Sequence, residues 1–115
     1  MKILPNSDNL LIPLEKFTQY ALNPTKESNK SKAFERALGY DLNNVEELID
    51  NIRKNANKFN AIEKSDMGYG KRYEVLITLI GANGKKANVK TAWVVDIVST
   101  KTRLISAYVT RKRFS

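Results

Sequence analysis

The side chains able to bind or move charge gather in the C-terminal half of this 115-residue chain. Lys71-Arg72-Tyr73-Glu74 is followed by Lys90-Thr91-Ala92-Trp93 and then by Ser106-Ala107-Tyr108. Alternation is the period of a β-strand, so Arg72 and Glu74, Thr91 and Trp93, and Ser106 and Tyr108 each share one face of a strand. Cations, hydroxyls, two rings and one carboxylate are the parts that hold a polyanion, stack a planar group and accept a proton. Histidine and cysteine are both absent. That removes the commonest general acid/base near neutrality, histidine-dependent triads, zinc-hydrolase chemistry, thiolate catalysis and disulfides. Asp96 has no second carboxylate at useful spacing, so no metal site and no cofactor is expected. Gly68-Tyr69-Gly70 precedes a lysine but lacks the spacing and following helix of a phosphate-binding loop.

Lys and Arg number 20 against 12 Asp and Glu, a formal charge of +8 with a pI near 9.8. Residues 1–60 hold nine basic and eight acidic groups, residues 61–115 eleven and four, so the positive field belongs to the second half. Such a balance points to nucleic acid, an acidic protein or an anionic membrane surface as partner. Arg111-Lys112-Arg113 adds sequence-independent phosphate affinity at the end of the chain. At 13.1 kDa the chain is expected to form one domain over 1–115. Its 42% apolar content suits a soluble globule, and runs such as Ala92 to Val95 are far too short to span a bilayer. Met1 to Asn6 does not read as a secretory signal, which leaves export within a larger polypeptide open.

Helices are expected in residues 1–60. Pro13 suits a first turn before Leu14, Phe17, Ala21 and Leu22, and Asn23-Pro24 stops the run. Ser31 is placed to cap a short helix carrying Phe34, Ala37 and Leu38, with Gly39 as its stop. Asn43 or Asn44 caps the third, whose apolar face runs through Val45, Leu48, Ile49, Ile52, Ala56 and Phe59. Residues 61–115 read as strands: Ala61 to Lys64, Arg72 to Ile80, Ala87 to Val98 and Arg103 to Thr110, with a loop at 65–70. The expected fold is therefore α+β, about three helices on one face of an antiparallel meander of three or four strands.

A two-residue turn at Asn83-Gly84 sets Ile77 opposite Lys90 and Glu74 opposite Trp93. Pairing Val98 with Arg103 sets Trp93 opposite Tyr108 and Val95 opposite Ser106. The helices then cover Val75, Ile77, Leu79, Ala92, Val94, Ile105, Ala107 and Val109. The outer face carries Arg72, Glu74, Leu76, Thr78, Thr91, Trp93, Val95, Ser106, Tyr108, Thr110 and Lys112.

Five segments in order, Tyr20 to Pro24, Lys32 to Tyr40, Gly70 to Val75, Val89 to Val95 and Arg103 to Tyr108, resemble an uncharacterised bacterial family. Its members are small proteins and C-terminal toxin domains of filamentous-haemagglutinin-like contact-dependent inhibition proteins. The helices-then-sheet order also resembles the ribonuclease toxin superfamily of barnase, colicin D and the RelE toxins. The family's final strand more often reads Thr-Ala-Tyr-Pro where this chain has Ser106-Ala107-Tyr108-Val109. The resemblance singles out Lys71, Arg72, Thr91, Trp93, Ser106 and Tyr108. It implies a metal-independent endoribonuclease acting on tRNA or ribosome-associated RNA in a bacterial cytoplasm, neutralised by an acidic immunity or antitoxin protein.

Attack by a 2′-hydroxyl on the adjacent phosphorus needs alignment, charge stabilisation and proton transfer at both ends. On the expected face, Trp93 or Tyr108 stacks a base, Arg72 or Lys71 supplies positive charge, and Glu74 is the general base. Tyr108 donates to the leaving oxygen or positions it. Lys90, Arg111, Lys112 and Arg113 join Trp93 in holding RNA. Each assignment has a plainer counterpart: Trp93 and Tyr108 as a cross-strand pair, Glu74 and Arg72 as a solvated ion pair. The rival function is a non-catalytic basic module that binds nucleic acid or an acidic protein. An immunity protein is disfavoured by the charge.

Overall fold

The computed structural model describes residues 1–65, 68 and 70–111. Helix α1, Ser28–Leu38, buries Phe34 and Leu38, and Gly39 ends it in the left-handed conformation that glycine adopts without strain. Helix α2, Val45–Asn55, buries Val45, Leu48, Ile49 and Ile52 along one face, with Glu46 and Glu47 in the first turn and Arg53 and Lys54 in the last. That charge order complements the helix dipole. Three expectations change here: Asn44 holds the N-cap position of α2, but its side chain accepts from the Asp41 N–H and donates to the Gly39 carbonyl instead of capping the helix. Ser31 lies buried inside α1, where its hydroxyl donates to the Ser28 carbonyl at 3.1 Å, and caps nothing. The first expected helix is a π-helical turn, Phe17–Ala21, in which the Leu22 N–H reaches back to the Phe17 carbonyl at 2.8 Å.

Four strands follow: β1 (Ala61–Lys64), β2 (Gly70–Ile80), β3 (Lys86–Asp96) and β4 (Thr102–Thr110). They form an antiparallel sheet in the order β1-β2-β3-β4, which makes the fold α+β as the patterning implied. The N-terminal segment reaches both edges of the sheet. The Ala61 N–H donates to the Lys2 carbonyl at 2.7 Å, and Leu11 bridges β4 through Thr102 and Leu104, each at 2.9 Å. Leu4 and Leu10, between those two contacts, are buried in the core.

The register differs from the expected one, and the difference decides the site. Ile80 pairs with Lys86, so the β2–β3 connection is the five-residue loop Gly81 to Lys85 rather than a two-residue turn. Its geometry is set by α1: the Asn83 N–H donates to the Leu38 carbonyl at 3.3 Å, and a Cβ on Gly81 would overlap that carbonyl oxygen. The one-residue slip reverses both faces of β3 relative to β2. Trp93 therefore pairs with Tyr73 and Leu104, while Glu74 pairs with Ala92. Trp93 and Thr91 are both wholly buried. The packing reason is plain: an inward Trp93 buries the largest side chain in the chain, where an inward Ala92 would leave much of that volume unfilled.

A bulge between the Ala92 and Trp93 pairings places the extra residue, Ile105, in β4. Ala107 faces the core and Val109 packs against it, as expected, but beyond the bulge Leu104 and Thr102 take the inward positions instead of Ile105.

Candidate functional site

Alternation places Arg72, Glu74, Leu76 and Thr78 of β2 on the sheet face away from the core, because Tyr73, Val75, Ile77 and Leu79 are buried on the other. The observed register adds Lys64 from β1, Lys86, Asn88, Lys90, Ala92 and Val94 from β3, and Arg103, Ser106, Tyr108 and Thr110 from β4. Apart from Glu74 and the strand-end Asp96, the ionisable charges at these positions are all positive.

One row of groups crosses four strands and continues onto a helix. Glu74 sits between two lysines, with its Oε1 3.7 Å from Lys64 Nζ and 3.3 Å from Lys90 Nζ. Lys90 pairs directly with Tyr108, its ammonium 6.0 Å from the ring centre, and Lys30 of α1 reaches over the same ring at 5.6 Å. The order is thus Lys64, Glu74, Lys90, Tyr108, Lys30. Hydrogen bonding to Glu74 first, and to Tyr108 second, holds the Lys90 ammonium above the usual lysine value. Lys90 therefore stays charged throughout the physiological range.

Cavities flank this row. One of about 890 Å³ is lined in part by Leu76, Thr78, Lys86, Asn88, Thr110 and Arg111. Thr78 donates to Asn88 across the strands at 2.7 Å within it. A smaller one, at the outer edge of β4, includes Ser106.

Of the expected site residues, Arg72, Glu74, Lys90, Ser106 and Tyr108 share the open face, and Arg111 lines the larger cavity. Trp93 is no base platform and Thr91 no catalytic hydroxyl. The Thr91 hydroxyl donates to the Val75 carbonyl at 2.8 Å and accepts the Trp93 indole N–H at 2.7 Å, so the pair satisfies itself inside the core. Val95, also expected on the outer face, packs against the core. Lys71 is exposed but its position in β2 belongs to the opposite face. It pairs with Glu63 at 3.5 Å, beside Lys2 at the same distance. Those two lysines, Lys2 foremost, hold the Glu63 carboxyl below its usual value. Lys112, Arg113 and the central Tyr69 of the Gly68-Tyr69-Gly70 motif lie outside the described residues.

Sequence reasoning missed Lys64, Lys30 and Arg103. Lys64 was legible from the alternation of β1, and Arg103 from its place in β4. Lys30 was not, because no local pattern says where a helix residue will stand relative to a sheet. Among the described residues no cluster of three or more carboxylates has the makings of a metal site, and no helix is long and apolar enough to cross a membrane.

These features define an α+β domain with a cationic sheet face left open by its helices. The chain belongs to the DUF6883 family, a domain of unknown function, whose model matches residues 3–111. No curated protein and no solved structure matches it.

Proposed function

We propose that the chain is a metal-independent endoribonuclease of toxin type, with its active site on the open sheet face around Glu74, Lys90 and Tyr108. The observation that carries this reading is the central carboxylate held between two ammonium groups, with a phenol one strand beyond the second. In this reading Glu74 accepts the proton of a 2′-hydroxyl as that oxygen attacks the neighbouring phosphorus. Lys90 and Arg72 stabilise the charge that builds on the phosphorane oxygens. The P–O5′ bond breaks, and Tyr108 or water donates a proton to the departing oxygen. The products are a 2′,3′-cyclic phosphate and a free 5′-hydroxyl.

The RNA backbone follows the cationic surface from Lys86 and Arg111 toward Lys90, drawn by phosphate attraction. tRNA or ribosome-associated RNA, in the cytoplasm of a bacterium, is the proposed substrate. An acidic immunity or antitoxin protein would cover the same face, since opposite charge speeds capture.

A second reading is favoured by the double ion pair of Glu74, which resembles an ordinary surface network: the face holds RNA or an acidic protein without cutting anything. Digestion of total RNA by purified protein in EDTA separates the two. The enzyme reading expects discrete fragments ending in cyclic or 3′-phosphate, lost in Glu74→Gln and strongly reduced in Tyr108→Phe. Intact RNA under those conditions, or cleavage only with added divalent ions, overturns it.

A further inference from the structure

With Trp93 buried in the core, an exposed aromatic ring stands outside the sheet at Tyr20. A cavity of about 150 Å³ opens at the outer edge of β4 between the π-helical turn and α1. That is about half the low end of the range for whole small-molecule sites, a scale suited to one planar ring rather than a complete ligand. Its walls include Tyr20, Lys16, Glu27, Lys30 and Ser106. Tyr20 is 52% exposed although its neighbours Phe17 and Ala21 are buried. The widened turn accounts for this: the π-type bond from Leu22 to Phe17 keeps Phe17 and Ala21 in the core and leaves Tyr20 projecting. Lys16 stands 5.9 Å from the Tyr20 ring centre.

Lys30 joins this cavity to the row on the sheet, because it lines the cavity and also holds its ammonium over Tyr108. Tyr20 and Tyr108 thus each have a lysine over the ring, Lys16 for the first and Lys30 for the second. Glu27, the one acidic residue among the described residues of the lining, is the unusual member. It repels a phosphate, so an anion site would be poorly served by it, yet a carboxylate is the natural acceptor for an amino group on a base edge.

We propose that this cavity is a nucleobase subsite, in which Tyr20 stacks a base, Glu27 selects one bearing an exocyclic amino group, and Lys16 and Lys30 hold the adjoining phosphates. The assignment rests on the reading of the sheet face as an RNA site and extends that site across β4 to the helical layer. It makes Glu27 a specificity residue: cytosine and adenine present an amino donor that uracil lacks.

The test uses fluorescein-labelled 2′-O-methyl hexanucleotides of cytidine or of uridine, which bind without offering a 2′-hydroxyl for attack, read by anisotropy. The wild-type chain is expected to prefer the cytidine oligomer by about 5- to 100-fold. Tyr20→Ala should weaken binding of both by about 5- to 100-fold, the worth of one stacked base, while Tyr20→Phe retains it. Glu27→Gln should collapse the preference for cytidine. Thermal melts of each variant confirm folding, which the exposure of Tyr20 favours. Binding by Tyr20→Ala equal to wild type, with the preference intact in Glu27→Gln while Lys90→Ala still weakens both oligomers, overturns the subsite and spares the sheet site. Failure of the wild-type chain to bind either oligomer removes both.

Discussion

Glu74 and Lys90 are diagonal neighbours on β2 and β3, with carboxylate oxygen and ammonium nitrogen 3.3 Å apart. Neither residue faces the other directly: Glu74 pairs with Ala92, and Lys90 pairs with Leu76 on one side and Tyr108 on the other. The diagonal lets Lys90 touch both the carboxylate and the phenol. A substitution at Lys90 thus changes the surroundings of both the carboxylate and the phenol.

Glu74→Gln removes the proposed base and the negative charge but keeps the size of the side chain. Cleavage is expected to fall by about 10²- to 10⁴-fold, the usual worth of a positioned general base, while RNA binding is retained or tightened. Single-turnover digestion and anisotropy on the same preparation read the two effects separately. Weakened binding with unchanged cleavage would place the chemistry elsewhere.

Trp93→Ala is expected to destabilise the fold by about 3–5 kcal/mol, because it empties a filled core position. Thr91→Val leaves the indole N–H without its acceptor and should cost roughly 1–3 kcal/mol, whereas Thr91→Ser keeps the hydroxyl and most of the stability. Urea unfolding measures both. In the folded chain the Trp93 fluorescence should resist iodide quenching and stay unchanged when RNA is added.

Lys86→Ala and Arg111→Ala should each reduce the slope of log affinity against log salt by about 1, one phosphate contact apiece. Their effect is expected to be the same for every RNA sequence. A titration at several salt concentrations gives the slopes, and unchanged slopes would remove the larger cavity from the RNA path.

Acid should act through Asp96. Its carboxylate accepts the backbone N–H groups of Ser99 at 3.1 Å and Val98 at 2.8 Å, and these bonds, Ser99 foremost, with Arg103 nearby, hold it below its usual value of 3.8. A carboxyl depressed in the folded state adds stability above its unfolded value and loses it as pH falls through the folded value. The wild-type melting temperature should therefore drop below about pH 3.8 by a component that Asp96→Asn lacks. Thermal melts of the two proteins from pH 5 to pH 2 test this, and parallel curves would show that the turn draws nothing from ionisation.

Lys90 gives the opposite limb. Its value is raised in the folded state, so its contribution is complete below the ordinary lysine range and is lost as pH rises through the raised value. Lys90→Met should flatten the alkaline loss of stability. Melts from pH 9 to pH 12 read it.

Local sequence determined which elements form. The period of Val45, Leu48, Ile49 and Ile52 makes α2, Gly39 ends α1, and the alternation from Tyr73 to Leu79 makes β2 and assigns its faces, all within reach of neighbouring residues. Arg72, Glu74 and Tyr108 were legible as surface groups for the same reason, although Tyr108 reached its face through a different register from the expected one. What local pattern does not contain is the length of the β2–β3 loop. That length depends on the end of α1 pressing against Gly81, a contact between residues about forty positions apart. One residue of slip exchanged Trp93 for Lys90 on the open face, because an indole gains more from the core than an ammonium can. The bulge at Ile105 and the placement of Lys30 over Tyr108 are likewise products of packing between distant segments, and only the folded chain decides them.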